Sequence, residues 1–288
     1  MASISELLST DEPLALPGVW DALSAKLAAR AGFHAVLVSG YCLSATRLGE
    51  PDFGLLTQTE VIDAAARICA AVEIPVIVDI DTGYGNAFNV ERTVQELGRI
   101  GAAGCFLEDQ LWPKRCGHME GKRVVPLDEY LPKLRAALAA RPRGFHVTAR
   151  TDARGAIGLD EAIARGRAFA AAGADAVFVE APESVEEMAT IRAALPAGVT
   201  LVANMVERGK TPLRSVQELG AAGYGIVALP VAALLASTRA IEELFATVAR
   251  DGSSAAAAGR MRSFPEMNEI VGLSERYRRE QQWRGSTD

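Results

Sequence analysis

Three features that would mark particular classes of protein are missing from this 288-residue sequence. No apolar run approaches the roughly 20 residues that a membrane-spanning helix needs. The four cysteines have no paired spacing, which argues against a disulfide framework and favours a reducing compartment. Basic residues are outnumbered 30 to 36, and a net charge of -6 disfavours nucleic acid as a partner. We therefore expect a cytoplasmic protein that binds neither membranes nor nucleic acid.

Short apolar segments recur along the chain, each after a helical pattern that ends at a glycine. Examples are AGFHAVLV, GAAGCFLE, AGADAVFVE and AAGYGIVAL, which begin at residues 31, 101, 172 and 221. Their apolar residues are continuous rather than alternating, which is typical of a sheet buried on both faces. The pattern therefore predicts a parallel α/β fold.

Eight strand–helix units predict a (β/α)8 barrel of the TIM type, whose usual size is about 250 residues. A doubly wound open sheet is the alternative, but no glycine-rich dinucleotide fingerprint follows the first strand. The predicted strands lie near 14–18, 34–39, 75–81, 103–109, 146–152, 176–181, 200–206 and 225–231. The predicted helices are 22–31, 58–71, 90–100, 127–140, 159–172, 185–195, 215–222 and 232–249.

The predicted barrel is a catalytic domain that spans residues 1–250, and residues 251–288 form a helical tail outside it. The tail begins with GSSAAAAG, a flexible or weakly helical joint. Its last stretch, 264–283, is amphipathic. We expect this tail to pack on a neighbouring subunit.

The segment that follows the fourth predicted strand places a thiol among cations. These cations are Lys114, Arg115, His118, Lys122 and Arg123. Nearby positive charge favours the thiolate form of Cys116, and Gly117 and Gly121 allow the loop to bend. We therefore predict that Cys116 is a proton donor or nucleophile on a mobile loop. The alternative, a small apolar filler, suits Cys69 and Cys105 better because they lie in apolar patterns.

Acidic residues occupy several predicted strand ends, which is where a barrel of this kind has its active site. They are Asp79 and Asp81 at the end of strand three and Glu108 at the end of strand four, and Asp52 lies in the loop after strand two. Converging carboxylates repel one another unless a cation lies between them, and Mg²⁺ prefers oxygen ligands. We predict a Mg²⁺ site here, with Mn²⁺ as a substitute. The alternative is that Asp79 and Asp81 only cap the strand and its turn.

Other strand ends offer groups to an anionic substrate. The forked guanidinium of Arg150 can bind a carboxylate, or it can pair with Asp152 or Glu180, and both can hold at once. Asn204 is either a polar contact or a turn residue. A hydroxyl and backbone N–H groups at the end of strand two are supplied by Ser39, Gly40 and Tyr41.

These residues resemble the isocitrate lyase / phosphoenolpyruvate mutase superfamily. The similarity extends almost end to end, from PGVWDALSA at 17–25 to FPEMNEI at 264–270. KRCGH at 114–118 is the lyase signature, and DIDTGYG, LEDQ, ARTDA and ANMVE support it. SGY and EPDFGLLT place the chain nearest the branch of 2,3-dimethylmalate lyases, 2-methylisocitrate lyases and the petal death protein.

The resemblance implies a homotetramer, a dimer of dimers, whose last barrel helix is swapped between subunits. It implies that Asp79 binds Mg²⁺ directly, whereas Asp52, Asp81 and Glu108 bind it mainly through water. Cys116 is then the catalytic acid or base on a gating loop. The implied catalytic set is Cys116, Arg150, Lys114, Arg115, His118 and Glu108. The implied substrate contacts are Ser39, Gly40, Tyr41, Gly117, Arg150, Glu180 and Asn204.

The activity that this resemblance implies is a carbon–carbon lyase of the retro-aldol or retro-Claisen type. Its substrate is a 2-hydroxy dicarboxylate such as a 2-alkylmalate, which it cleaves to a 2-oxo acid and a carboxylate. Phe264 matches an arginine of 2-methylisocitrate lyases, which disfavours a third carboxylate on the substrate. Pro230 stands where oxaloacetate hydrolases tend to have a serine. The alternatives are carboxyphosphonoenolpyruvate phosphonomutase chemistry on a P–C bond, oxaloacetate hydrolysis or decarboxylation, and a non-catalytic binding barrel.

Overall fold

Eight parallel strands form a closed barrel in the computed structural model, which describes residues 2–10, 12–117, 119 and 121–285. Each strand pairs with the next, and the eighth pairs with the first. The strands are β1 (Leu14–Val19), β2 (Val36–Val38), β3 (Val76–Asp79), β4 (Gly104–Glu108), β5 (His146–Thr151), β6 (Ala176–Val179), β7 (Thr200–Asn204) and β8 (Ile226–Leu229). The predicted (β/α)8 barrel is confirmed, and the open sheet is wrong.

The helices follow the predicted order. They are α1 (Ile4–Leu7), α2 (Ala22–Arg30), α3 (Gly40–Leu43), α4 (Gln58–Cys69), α5 (Ala87–Arg99), α6 (Leu127–Ala140), α7 (Ala153–Ala156), α8 (Leu159–Ala172), α9 (Val185–Ala194), α10 (Val216–Ala221), α11 (Ala232–Asp251), α12 (Phe264–Val271) and α13 (Leu273–Arg284). The sequence did not predict α1, α3 and α7, because four residues are too few to show a helical period.

Alternation of side chains along the strands determines what lies at the barrel mouth. Phe106 and Phe178 belong to the apolar cluster inside the barrel, and their ring centroids are 5.8 Å apart in an edge-to-face arrangement. Residues two positions further along a strand face the same interior. Glu108 and Glu180 therefore project into the mouth just above this apolar layer, as Asp79 does above Ile77.

The chain divides into two compact units, residues 1–234 and 235–288. In the second unit, Ser263 and Glu266 form a capping box that begins α12. Large apolar side chains of this unit are exposed, among them Phe264 at 80% and Trp283 at 72%. The swapped helix and the packing of the tail on another subunit stay predictions. Among the helices in the described ranges, none combines the length and apolar character needed to cross a membrane.

His146 makes stability depend on pH. The imidazole is buried at the start of β5, Nε2 lies 3.1 Å from Thr148 Oγ1, and Nδ1 has no hydrogen-bond partner in the described part of the chain. Burial lowers the pKa of His146 from 6.5 to about 4. Between these values the unfolded chain binds the proton more tightly, so the contribution to stability is complete above pH 6.5 and is lost as pH falls towards 4.

On going from pH 7 to pH 4.5, the free energy of unfolding should fall in both proteins. We expect the fall to be about 2 kcal/mol smaller in His146→Gln than in the parent. Urea unfolding at a series of pH values measures this difference. His34→Gln, a histidine substitution at an exposed position, is the matched control variant. An unchanged slope in His146→Gln would contradict the prediction.

Candidate active site

Two of the predicted metal ligands meet just beyond β3. Asp79 ends the strand, and Asp81 follows in a turn with φ of 51°, so that its N–H donates to Asp79 Oδ1 over 3.1 Å. The predicted strand extended to residue 81, but the left-handed turn ends it two residues earlier. Both carboxylates approach Gly40, where an added β-carbon would lie 3.2 Å from Asp79 Oδ2 and 3.5 Å from Asp81 Oδ1. Glycine at 40 therefore allows the backbone at the start of α3 to lie close to both carboxylates.

Lys114 reaches into this acidic group from the loop between β4 and α6 that carries Cys116 (residues 110–126, the cysteine loop). Its ammonium nitrogen lies 2.6 Å from Asp52 Oδ2 and 2.6 Å from Asp81 Oδ1, and the residue is only 3% exposed. Burial raises the pKa of Asp81 to about 7, against the opposing effect of the Lys114 charge. Burial also raises the pKa of Glu108 well above its usual value. The sequence placed Lys114 among the loop cations, and the structure brings it to the predicted metal ligands.

Arg150 is the central cation of the mouth. Its guanidinium forms ion pairs with Glu108 (3.3 Å), Asp152 (2.9 Å) and Glu180 (3.0 Å). It also lies over the ring of Phe178, 5.1 Å from the centroid. The ion pairs anticipated from the sequence are therefore present, and binding of a substrate carboxylate stays a prediction.

The other predicted substrate contacts lie around the same mouth. Asn204 Nδ2 is 3.2 Å from Glu180 Oε2, and Asn204 Oδ1 is buried without a hydrogen-bond partner among the described residues. Ser39 Oγ accepts a hydrogen bond from the N–H of Cys42 at the start of α3. Burial raises the pKa of Tyr41, and the charge of the Cys116 thiol raises it further.

The cysteine loop lies over the mouth. The N–H of Cys116 donates to the carbonyl oxygen of Asp52 over 3.2 Å. Gly117 is buried so closely that a β-carbon there would overlap the Glu180 carboxylate and lie 2.6 Å from Arg150 Nη2. The adjacent Cys116 is therefore held beside the Arg150 ion pairs. Arg115, in contrast, is exposed, and its guanidinium lies 5.7 Å from the ring centroid of Phe53. His118 lies outside the described residues.

Two charged residues that support this site, Asp109 and Arg165, were given no role from the sequence. Asp152 pairs with Lys122 as well as with Arg150, and the Asp152 N–H donates to Asp109 Oδ1 over 3.0 Å. Asp109 also pairs with Arg165 at 2.9 Å. The sequence signal for Asp109 was its place next to Glu108 at a predicted strand end.

The charges of the mouth favour a divalent cation. The described residues there include six carboxylates, Asp52, Asp79, Asp81, Glu108, Asp152 and Glu180, and three cations, Lys114, Lys122 and Arg150. Glu108 Oε1 is buried and has no hydrogen-bond partner within the described ranges. Within those ranges no group of three or more His, Cys, Asp or Glu side chains is arranged to hold a metal ion by itself. The mouth thus has more carboxylates than cations but few direct ligands for a metal. This combination suits a hard ion such as Mg²⁺, which keeps several of its water molecules.

The family is decided by comparison with known proteins. The family model described as phosphoenolpyruvate phosphomutase matches residues 4–249. The chain belongs to the phosphoenolpyruvate mutase/isocitrate lyase superfamily. This confirms the resemblance, and the chain is accordingly a lyase of this superfamily.

Relatives in the superfamily match the chain over nearly its whole length. The 2,3-dimethylmalate lyase of Eubacterium barkeri is 46% identical over 273 residues, which are 94% of each chain. The structure of oxaloacetate acetylhydrolase with the inhibitor 3,3-difluorooxalacetate is similar with a TM-score of 0.93 and 37% identity, over 99% of this chain and 97% of that one. Phosphonopyruvate hydrolase in complex with oxalate and Mg²⁺ gives a TM-score of 0.84 and 33% identity, over 94% of each chain.

Proposed function

We propose that this protein is a Mg²⁺-dependent lyase that cleaves a carbon–carbon bond of a 2-hydroxy dicarboxylate such as a 2-alkylmalate. The products are a 2-oxo acid and a carboxylate. The observation that carries this proposal is the close approach of Gly117 to Arg150 and Glu180, which brings the neighbouring thiol to the barrel mouth. A proton donor thus lies beside a cation that can bind a substrate carboxylate. The similarity to a 2,3-dimethylmalate lyase supports this substrate class.

Asp79, Asp52, Asp81 and Glu108 would hold Mg²⁺, which when bound stabilises negative charge on substrate oxygens. Arg150 binds the carboxylate that acquires enolate character as the carbon–carbon bond breaks. The 2-hydroxyl loses its proton as it becomes the oxo group of one product, and the thiol of Cys116 gives its proton to the carbon that keeps the bonding electrons. The thiolate left on Cys116 takes up one proton before the next turnover, so the cycle gains and loses no net proton. The loop that carries Cys116 excludes water, so that no solvent proton competes with this transfer.

We further propose that the protein acts in the cytoplasm as a homotetramer, a dimer of dimers, in which residues 251–288 pack on a neighbouring subunit. The exposed aromatic side chains of α12 and α13, Phe264 and Trp283, support this arrangement because burial of such side chains is favourable.

An assay for released 2-oxo acid tests the activity. We expect pyruvate release from 2,3-dimethylmalate in the presence of Mg²⁺, weaker or no release from 2-methylisocitrate and isocitrate, and loss of activity in EDTA. Restoration by added Mg²⁺ or Mn²⁺ is the control for EDTA. Inactivity on all the hydroxy acids would contradict the proposal and favour chemistry on a P–C bond.

Oxaloacetate hydrolysis is the second candidate, favoured by the structural similarity to oxaloacetate acetylhydrolase. Pro230 argues against it. This residue directly follows β8, its carbonyl oxygen accepts a hydrogen bond from Cys42 Sγ over 3.2 Å, and its side chain offers no hydroxyl. Oxaloacetate is included in the same assay. If it is turned over and no alkylmalate is, oxaloacetate hydrolysis becomes the better supported function.

A further inference from the structure

Lys122 belongs to the cysteine loop, and its ammonium group lies between the backbone of that loop and the barrel. Its ammonium group donates to Asp152 Oδ1 over 2.7 Å and also to the carbonyl oxygen of Gly117. The residue is only 7% exposed. Its aliphatic stem packs on α7, where a β-carbon at Gly155 would lie 3.2 Å from Lys122 Cε. One buried cation therefore joins the end of β5 to the backbone next to Cys116.

The barrel side of this connection is held in place independently of the loop. Asp152 accepts two hydrogen bonds from Arg150, at 2.9 Å and 3.1 Å, and its N–H donates to Asp109 Oδ1. Asp109 in turn accepts a hydrogen bond from Arg165 over 2.9 Å. Because Asp152 is fixed from two directions, the position of the Lys122 ammonium is fixed too. Among the described residues of the cysteine loop, the carbonyl of Gly117 is then the partner of Lys122.

We propose that Lys122 is a positioning residue that holds the Cys116 loop against Arg150. The proposal deepens the proposed function and rests on it, because it assumes that Cys116 is the acid of that reaction. Without Lys122, the Gly117 carbonyl loses its charged donor, and Asp152 loses one of its two cations. Gly117 packs directly on Glu180 and Arg150, and this contact sets how far Cys116 lies from the mouth. An outward movement of the loop would therefore withdraw Cys116 from the carbon that it protonates. Such a displacement acts on the chemical step rather than on substrate binding.

The alkylation rate of Cys116 tests this without any need for activity. In a Cys69→Ala background, peptide mass spectrometry would follow the reaction of Cys116 with iodoacetamide. The rates are compared on their high-pH plateau, where loss of the Lys122 charge no longer changes the thiolate fraction. We expect Lys122→Met to accelerate the reaction there about tenfold or more, the factor expected for the loss of one charge-assisted hydrogen bond. Lys133→Met is the matched control, since the Lys133 ammonium also donates to a backbone carbonyl, that of Thr82, at 3.2 Å. An alkylation rate in Lys122→Met equal to that of the control would overturn the proposal.

Kinetics provides the second measurement. Lys122→Met should lower kcat about tenfold or more and change KM by less than about threefold, because a positioning residue acts on the chemical step. Ethylammonium should restore part of the kcat of Lys122→Ala in a saturable manner, which a merely damaged fold would not allow. If Lys122→Met does not fold, Lys122→Gln keeps a neutral donor and should show smaller shifts of the same sign.

The two proposals fail in different ways. Faster alkylation in a protein whose parent has no lyase activity would support the role of Lys122 and contradict the proposed function. An active parent whose Lys122 variants keep the parental alkylation rate and kcat would contradict the role of Lys122 and support the proposed function.

Discussion

Replacing Cys116 by alanine is expected to lower kcat on a 2-alkylmalate by roughly 10²- to 10⁴-fold, the range for loss of a general acid. The carbanion that remains after carbon–carbon cleavage must be protonated on carbon, and the loop holds Cys116 beside the Arg150 ion pairs. Substrate affinity should change little, because Arg150 and the predicted metal ligands are untouched. Steady-state measurement of 2-oxo acid release gives kcat and KM separately.

Cys69 supplies the matched control for this experiment. Its thiol on α4 is half-buried, and burial raises its pKa to about 11, so it stays protonated and unreactive. Cys69→Ala should therefore keep the parental kcat. Mg²⁺ binding, followed as a shift of Tm, should be unchanged in Cys116→Ala. Parental turnover in that variant would show that another group protonates the carbon.

The strands were predictable because each carries its own local signal. A continuous apolar run after a glycine specifies a buried parallel strand, as for β6 after Gly173. Strand ends were less predictable, because contacts with other strands determine them. At the end of β3, the carbonyl of Asp81 accepts a hydrogen bond from the N–H of Glu108 over 2.8 Å, and this contact accompanies the left-handed turn. No local pattern in DIDTGYG encodes that partner.

The candidate site was predictable wherever residues belong to strands. The rule that active-site residues follow the strand ends brought together Asp79, Glu108, Arg150, Glu180 and Asn204. Contacts made by loop side chains were not predictable in the same way. Lys114 meets Asp52, 62 positions away in the chain, and Lys122 meets Asp152, 30 positions away. Which carboxylate a long flexible cation reaches depends on the folded loop, and neither spacing nor charge pattern specifies it.

Replacing Arg150 by methionine is expected to destabilise the protein by about 3–5 kcal/mol, the usual cost of removing one partner of a buried ion pair. Glu108, Asp152 and Glu180 would lose their shared cation while they stay buried. Methionine keeps much of the volume of the side chain, so lost packing contributes little. The value of kcat/KM should also fall by about 10³-fold or more, for two reasons. The reacting carboxylate loses a charge-assisted contact, and Cys116 is displaced from the reacting carbon. Urea unfolding and kcat/KM measure the two effects.

Two further variants separate the structural role of Arg150 from its role in substrate binding. Arg150→Lys keeps the positive charge but loses the fork that contacts three carboxylates, so we expect a smaller loss of stability and a raised KM. Adding Glu180→Gln to Arg150→Met removes one of the unpaired charges. The double variant should therefore recover part of the lost stability, while its activity stays at the level of Arg150→Met because the guanidinium proposed to bind the substrate carboxylate is still absent. Recovery of activity together with stability would mean that Arg150 only maintains the fold of the mouth, and that the substrate carboxylate binds elsewhere.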